Sequence, residues 1–232
     1  MPVANGNLQK QPQNMIYVIA LFLLASPFYL NDFSNIYIKD WRWWLFIDYT
    51  SVKLFPLLVV LWLIRDRHLS AAELGLVRQS LPSFLAAFLL VTLAGTLMDQ
   101  NTYRLIDKLP GYQSLAPLVP KIESPVWNWI DLTLGLVAVG VFEELVFRGY
   151  MHTFLRRYTR SRFAIVFISS FAFGLAHWSA GLHVVLVTSA IGVILMIAYM
   201  STKSLPAIML AHAAVDFIDF AGVIPKTLFK FV

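Results

Sequence analysis

The sequence contains no cysteine and few charged residues. The absence of cysteine excludes disulfide bonds, a thiolate nucleophile and any zinc site built on sulfur. Asp, Glu, Lys and Arg make up 13% of the 232 residues, whereas an ordinary soluble domain has about 25%. A chain with so little charge cannot cover a water-exposed surface, and its chemistry must rely on oxygen and nitrogen groups.

Apolar and aromatic side chains take the place of the missing charge. Hydrophobic residues make up 59% of the chain, aromatic residues 15%, and the mean hydropathy is +0.69. This composition is typical of helices in lipid with aromatic residues at both interfaces. It predicts a multi-pass integral membrane protein with the lipid bilayer as its surroundings. Basic cytoplasmic loops explain the net charge of +5, so no nucleic acid partner is expected.

Apolar runs divide the chain into spans. A helix needs about 20 mainly apolar residues to cross a bilayer, and the runs predict an all-α, polytopic transmembrane bundle of about seven spans, within a range of six to eight. A polar N-terminal segment, 1–14, precedes a single transmembrane domain, 15–232. The predicted spans are 15–30, 43–64, 81–98, 126–147, 162–178, 182–200 and 204–222.

Basic residues in a short connection predict the orientation. The segment Met151–Arg162 contains four arginines and no acid, so the positive-inside rule places it in the cytoplasm. Seven spans then put the N-terminus inside and the C-terminus outside, although Lys226 and Lys230 oppose that placement. The small, cysteine-free chain without eukaryotic targeting signals favours a prokaryotic cytoplasmic (inner) membrane.

Ionisable residues interrupt the later spans. The fourth predicted span ends in the segment Gly140–Gly149, which contains Glu143, Glu144 and Arg148. Glu144 and Arg148 are four residues apart and share a helix face, whereas Glu143 points about 100° away. Charged groups at a helix centre cost about 2.5–3.5 kcal/mol on insertion scales, so they are functional candidates. The spacing predicts a Glu144–Arg148 ion pair and leaves Glu143 as a candidate general base.

Histidines occur in two other late spans. Phe173 and His177 lie four residues apart in the fifth, and His212 and Asp216 share a face of the seventh. Each pattern alone is equally well explained by a structural tie between buried polar groups. Their co-occurrence favours a site that activates water.

Other ionisable residues in the predicted spans lie outside these patterns. Asp48 and Lys53 in the second span are expected to form a structural pair. Asp219, one helical turn beyond Asp216, is the strongest candidate for an additional role in the site.

Three motifs occur in order on successive late helices: EExxxR at Glu143–Arg148, FxxxH at Phe173–His177 and HxxxD at His212–Asp216. This arrangement resembles the CAAX protease and bacteriocin-processing (CPBP) family of intramembrane proteases, also called the Abi or type II CAAX protease family. The resemblance covers about 126–222, the expected catalytic core. The residues it implies for the catalytic site are Glu143, Glu144, Arg148, His177, His212 and Asp216.

The resemblance implies a glutamate-type intramembrane endopeptidase. Glu143 would activate a water molecule near His177, and Glu144 with Arg148 would support it. His212 and the residue four later would stabilise the oxyanion. The best-known CAAX proteases have asparagine where this chain has Asp216. Because an ionised aspartate cannot donate a hydrogen bond, Asp216 would either be protonated or orient His212.

The resemblance leaves alternatives open for the cofactor, the substrate and the activity. No cofactor and no metal are expected; the alternative is a zinc ion held by Glu143, His177 and His212. The expected partner is a membrane-embedded or membrane-anchored protein or peptide, such as a prenylated CAAX tail, a bacteriocin precursor or a sorting tail. The rival activities are a non-catalytic immunity or partner-binding protein of the same fold and a proton-coupled transporter. The sequence lacks the repeated halves typical of such transporters.

Overall fold

The structure, a computed structural model, describes residues 10–106 and 120–225, with side chains for 15–102 and 120–225. Most of segment 1–14, together with Lys226 and Lys230, lies outside these ranges. The described ranges contain helices and turns and no strand, which confirms the predicted all-α class. The helices are α1 (Lys10–Tyr37), α2 (Trp41–Arg65), α3 (Leu81–Ile106), α4 (125–155), α5 (Arg162–Leu175), α6 (Leu182–Thr202) and α7 (Pro206–Phe220).

Polar caps fix where several helices begin. The Asp40 side chain accepts the Arg42 N–H at 2.9 Å at the start of α2. Ser161 accepts the Ala164 N–H at 3.2 Å at the start of α5. Ser124 precedes α4 and is followed by Pro125 at the first helical position. These residues satisfy or remove backbone donors that a helix start leaves free.

Helices α2 and α4 are not regular throughout. Helix α2 contains the π-helical segment Tyr49–Leu54, and α4 contains two, Asp131–Gly135 and Leu145–Tyr150. The last of these begins directly after Glu144 and includes Arg148. Such π-helical turns are frequent at functional sites because they change the direction of the side chains that follow.

Within the described residues, four helices are long and apolar enough to cross a membrane: Met15–Tyr37 of α1, α2, Leu81–Thr102 of α3, and α6. They mark the chain as a membrane protein. Helices α5 and α7 have 14 and 15 residues, so each is shorter than the hydrocarbon core of about 30 Å. The two short helices belong to the part of the chain that holds the motifs.

Several span boundaries differ from the prediction. Helix α1 continues to Tyr37 instead of ending at residue 30, and α4 continues to residue 155. The prediction that His177 lies in a span is wrong, because α5 ends at Leu175 and His177 precedes the short 3₁₀ turn Trp178–Ala180. The N–H groups of residues 176 and 177 bond three residues back, which tightens the chain out of the α-helix.

Glycine brings α4 and α7 into backbone contact. A Cβ atom on Gly140 would lie 2.5 Å from the carbonyl oxygen of Met209 and 3.0 Å from the amide nitrogen of Ala213. No side chain fits there, so the two helices pack as closely as small residues allow. This contact lies one turn of α4 before Glu143 and Glu144.

Candidate active site

Glu144 is the centre of a buried ion-pair network between α4 and α7. Its Oε1 atom lies 2.8 Å from Nη1 of Arg148 and 2.8 Å from Nδ1 of His212. The side chains of Glu144 and Arg148 are completely buried. The ion pair predicted from the four-residue spacing is therefore present, and His212 extends it to a second helix.

The two ring nitrogens of His212 differ, because among the described residues Nδ1 forms a hydrogen bond and Nε2 does not. Its Nδ1 donates a hydrogen bond to the Glu144 carboxylate, which can only accept. Its Nε2 lies 3.5 Å from Oδ2 of Asp216 and 3.7 Å from Oε2 of Glu143. Both distances exceed those of good hydrogen bonds. The imidazole is therefore oriented by Glu144, and Nε2 points into the space that Glu143 and Asp216 share.

The two adjacent glutamates differ in how exposed their side chains are. The side chain of Glu143 is 13% exposed and that of Asp216 is 22% exposed, whereas Glu144 is at 0%. The Oε2 atoms of both glutamates accept no hydrogen bond from the part of the chain that the structure describes, so the difference between them is one of exposure. Glu143 and Asp216 thus face the accessible side of the cluster, and Glu144 faces its closed side.

Phe173 on α5 connects the two histidines. Its ring centre lies 5.3 Å from the ring of His177 and 5.7 Å from that of His212, both edge-to-face. The guanidinium of Arg148 lies over the same ring at 4.1 Å, in cation–π geometry. Phe173 is absent from the predicted catalytic residues because an apolar side chain in an apolar span gives no separate signal beyond its place in the motif.

His177 lies at the edge of the cluster. Its Nδ1 donates to the carbonyl oxygen of Phe173 at 3.2 Å. It interacts electrostatically with Asp216, as does Asp219. The structure thus joins five of the six predicted residues through ion-pair contacts, and connects His177 to them through Phe173 and through the charge of Asp216.

Helix α1 fixes the connection that carries His177. The buried carboxylate of Asp32 accepts the backbone N–H of Ser179 at 2.7 Å. The indole N–H of Trp178 donates to the carbonyl oxygen of Tyr29 at 2.9 Å, and the Phe33 ring packs edge-on against Trp178. The sequence prediction missed Asp32 because it ended the first span at residue 30. The missed signal was that a helix continuing one turn further would bury this acid.

A second buried polar cluster lies away from the site. Asp48 forms the expected ion pair with Lys53 and accepts a hydrogen bond from Asn31 at 3.0 Å. Next to it, the Tyr49 hydroxyl donates to Asp131 at 3.0 Å. Asp131 precedes Glu143 by twelve residues of α4, or about 18 Å at 1.5 Å per residue. This cluster joins α1, α2 and α4 and does not reach the His212 network.

The donor set expected for zinc does not fit a metal ion in this geometry. Among residues 10–106 and 120–225, no group of three His, Asp or Glu side chains is arranged to hold one. Glu144 engages Nδ1 of His212 and a backbone carbonyl engages Nδ1 of His177, so each histidine would offer a metal only its Nε2 atom. Zinc requires three or four donors that converge at about 2 Å.

Comparison with known proteins gives one family. Residues 125–218 match the family described as Type II CAAX prenyl endopeptidase Rce1-like. The matched region begins at the start of α4 and ends within α7, so it includes the whole Glu144–His212 cluster and His177. Neither a curated protein nor a solved structure matches the chain.

Proposed function

Since residues 125–218 match the family described as Type II CAAX prenyl endopeptidase Rce1-like, we propose that this protein is an intramembrane endopeptidase that hydrolyses a peptide bond with water activated by Glu143. The observation that carries the proposal is the division between the adjacent glutamates. Glu144 has no exposed surface, and its Oε1 atom contacts both Arg148 and His212. The side chain of Glu143 is 13% exposed, and its Oε2 atom lies 3.7 Å from Nε2 of His212.

Glu143 has the geometry of a general base. In the proposed reaction its carboxylate takes a proton from water, and the hydroxide oxygen bonds to the carbonyl carbon of the substrate. The carbonyl oxygen becomes an oxyanion. When this intermediate collapses, the carbon–nitrogen bond breaks and Glu143 returns the proton to the leaving amine.

His212 supplies the oxyanion donor in this proposal. Both of its ring nitrogens face carboxylate oxygens, an arrangement that suits the imidazolium, which has N–H donors at both positions. Its Nε2–H points into the accessible space, where it would donate to the oxyanion. Asp216 lies 3.5 Å from the same nitrogen. The sequence left two roles open for Asp216, a protonated donor or a residue that orients His212, and this contact supports the second.

The substrate in this proposal is a segment of a membrane-embedded or membrane-anchored protein or peptide. The short helices α5 and α7 and the apolar surroundings of the cluster suit a chain delivered from the bilayer. Six of the 18 Lys and Arg residues lie in the connections after α2, α4 and α6. By the positive-inside rule these connections are cytoplasmic, and the proposed location is a prokaryotic inner membrane.

A membrane peptidome comparison tests the proposal. Membranes containing the wild-type protein, Glu143→Gln or His177→Ala are prepared at matched expression levels, and their peptides are compared by mass. We expect fragments that depend on the wild-type protein and are absent with both variants. Such fragments also identify the scissile bond. If no such fragment exists, or if both variants still produce it, the endopeptidase assignment is wrong.

Treatment with a zinc chelator tests whether cleavage requires a metal ion. A purified, active preparation treated with a zinc chelator is expected to keep its cleavage rate within about twofold, because the donors do not form a ligand set. The rate is measured before treatment and again after zinc is added back. Loss of cleavage that zinc restores would support the zinc alternative instead.

Asp32 is expected to act as a positioning residue through the connection that carries His177. Asp32→Ala removes the acceptor for the Ser179 N–H and should lower kcat by about 10- to 100-fold with little change in KM, because small displacements of a reacting group are costly. Asp32→Asn keeps an oxygen acceptor and should retain most activity. A fall in the melting temperature of both variants, without this difference in kcat, would indicate a structural role alone.

A further inference from the structure

A pocket with several cations lies at the end of the bundle where α4 and α6 finish and α5 begins. Its volume is about 620 Å³, and Arg156, Arg162, Lys203 and His152 are among its lining residues. His152 follows Glu143 by nine residues of α4, or about 13 Å. The pocket is therefore separate from the Glu144–His212 cluster, and nothing in the proposed hydrolysis uses it.

Few acidic side chains offset the positive charges in the pocket. Among the described residues that line it, Glu73 is the single acid, and its carboxylate accepts from the N–H and the hydroxyl of Ser70 at 2.8 Å each. Lys203 has φ +57°, a left-handed conformation that favours glycine at a helix end, yet a lysine occupies it. Its Nζ atom lies 3.5 Å from Nε2 of His152.

Burial and the neighbouring cations both lower the pKa values of the titrating groups in the pocket. Burial, and then the charges of Lys203 and Arg156, lower the pKa of His152 to about 4. Burial, and then Arg156 and Arg162, lower the pKa of Lys203. The pocket therefore holds the side chains of Arg156, Arg162 and Lys203 beside an imidazole that is neutral at neutral pH. A bound anion would offset their mutual repulsion.

The pocket is also apolar on one side. Val166 of α5 and Ile197 and Met200 of α6 line it, and Ile197 is 52% exposed. On a neighbouring face of α5, the rings of Phe163 and Phe167 stack on each other and are exposed. The cations would suit the charged headgroup of a lipid, and the apolar residues beside them would suit its acyl chain. The pocket also lies at the end of the helices, where lipid headgroups are found.

We propose that this pocket binds the phosphate-bearing headgroup of an anionic phospholipid from the adjoining leaflet. Arg156, Arg162 and Lys203 contact the phosphate, and an acyl chain follows the apolar wall along α5 and α6. The cytoplasmic leaflet, which carries anionic lipids, is the one that the positive-inside rule assigns to this end of the bundle. Binding would hold the ends of α4, α5 and α6 together.

The test is lipid binding to the purified full-length protein, measured as the shift of its melting temperature during titration. The probes are short-chain phosphatidylglycerol, phosphatidylcholine with the same acyl chains, and inorganic phosphate. We expect saturable stabilisation by phosphatidylglycerol. The double variant Arg156→Gln/Lys203→Gln should bind it about 30-fold more weakly, which corresponds to the loss of two cation contacts.

A matched control removes the same charge at the same end of the bundle. Arg67→Gln/Arg160→Gln changes two exposed arginines outside the pocket and should bind like the wild type. Arg162→Gln provides a second pocket variant with a smaller expected loss. Equal stabilisation by phosphatidylcholine or by inorganic phosphate would overturn the proposal. So would equal losses in pocket and control variants. Because the readout is binding, its failure is distinguishable from failure of the peptidase proposal.

Discussion

The Glu143→Gln protein is expected to cleave its substrate about 10²–10⁴-fold more slowly than the wild type, which is the usual contribution of a general base. Glutamine has the same shape and keeps an oxygen acceptor, but it cannot take a proton from water. Its melting temperature should stay close to that of the wild type. The side chain is 13% exposed, and its ion contact is the 3.7 Å approach to His212. The measurement is kcat on a fragment-defined substrate, with thermal unfolding in the same detergent.

The control for this variant is Glu123→Gln, which removes the same charge from an exposed glutamate just before α4. It should cleave at the wild-type rate. Glu143→Gln protein that cleaves as fast as the control would exclude Glu143 as the base. A large fall in melting temperature together with the loss of rate would indicate a structural role for Glu143.

The Arg148→Met protein is expected to lose about 3–5 kcal/mol of unfolding free energy, because removing one partner of a buried pair leaves an uncompensated charge. Glu144 has no exposed surface, so water cannot replace the guanidinium. Methionine is apolar and of similar length, and it keeps contact with the ring of Phe173. The loss is measured by denaturant titration of the purified protein in detergent micelles.

The matched variant is Glu144→Gln/Arg148→Met, in which the buried charge is removed from both partners. It should regain much of the lost stability while remaining slow in cleavage, because the neutral amide orients His212 less strongly. Equal stability of the single and double variants would show that the Glu144–Arg148 pair contributes little. That result would contradict the role assigned to the buried network.

The sequence predicted the helices and the chemistry of α4 better than it predicted the contacts between helices. Apolar runs are a direct consequence of the bilayer as solvent, so the helix class followed from composition. The Glu144–Arg148 pair followed from helical spacing. The contact of Glu144 with Nδ1 of His212 did not, because hydropathy contains no information on which faces of α4 and α7 meet.

The position of His177 shows a second limit. A run of apolar residues to Trp178 predicted a helix, but α5 ends at Leu175. What ends it is a tertiary contact, since Asp32 and Tyr29 of α1 bind the following turn. Contacts between residues about 150 positions apart cannot be read from local pattern. For the same reason Asp32 was missed.

The backbone contact at Gly140 has a consequence for recognising this site in other sequences. The separation of α4 and α7 determines how far Glu143 and Glu144 lie from His212 and Asp216. A methyl group at position 140 would meet the Met209 carbonyl oxygen at 2.5 Å and push the two carboxylate-bearing turns away from the imidazole. The pattern that defines the site is therefore longer than its charged residues suggest, since it begins with a residue that has no side chain.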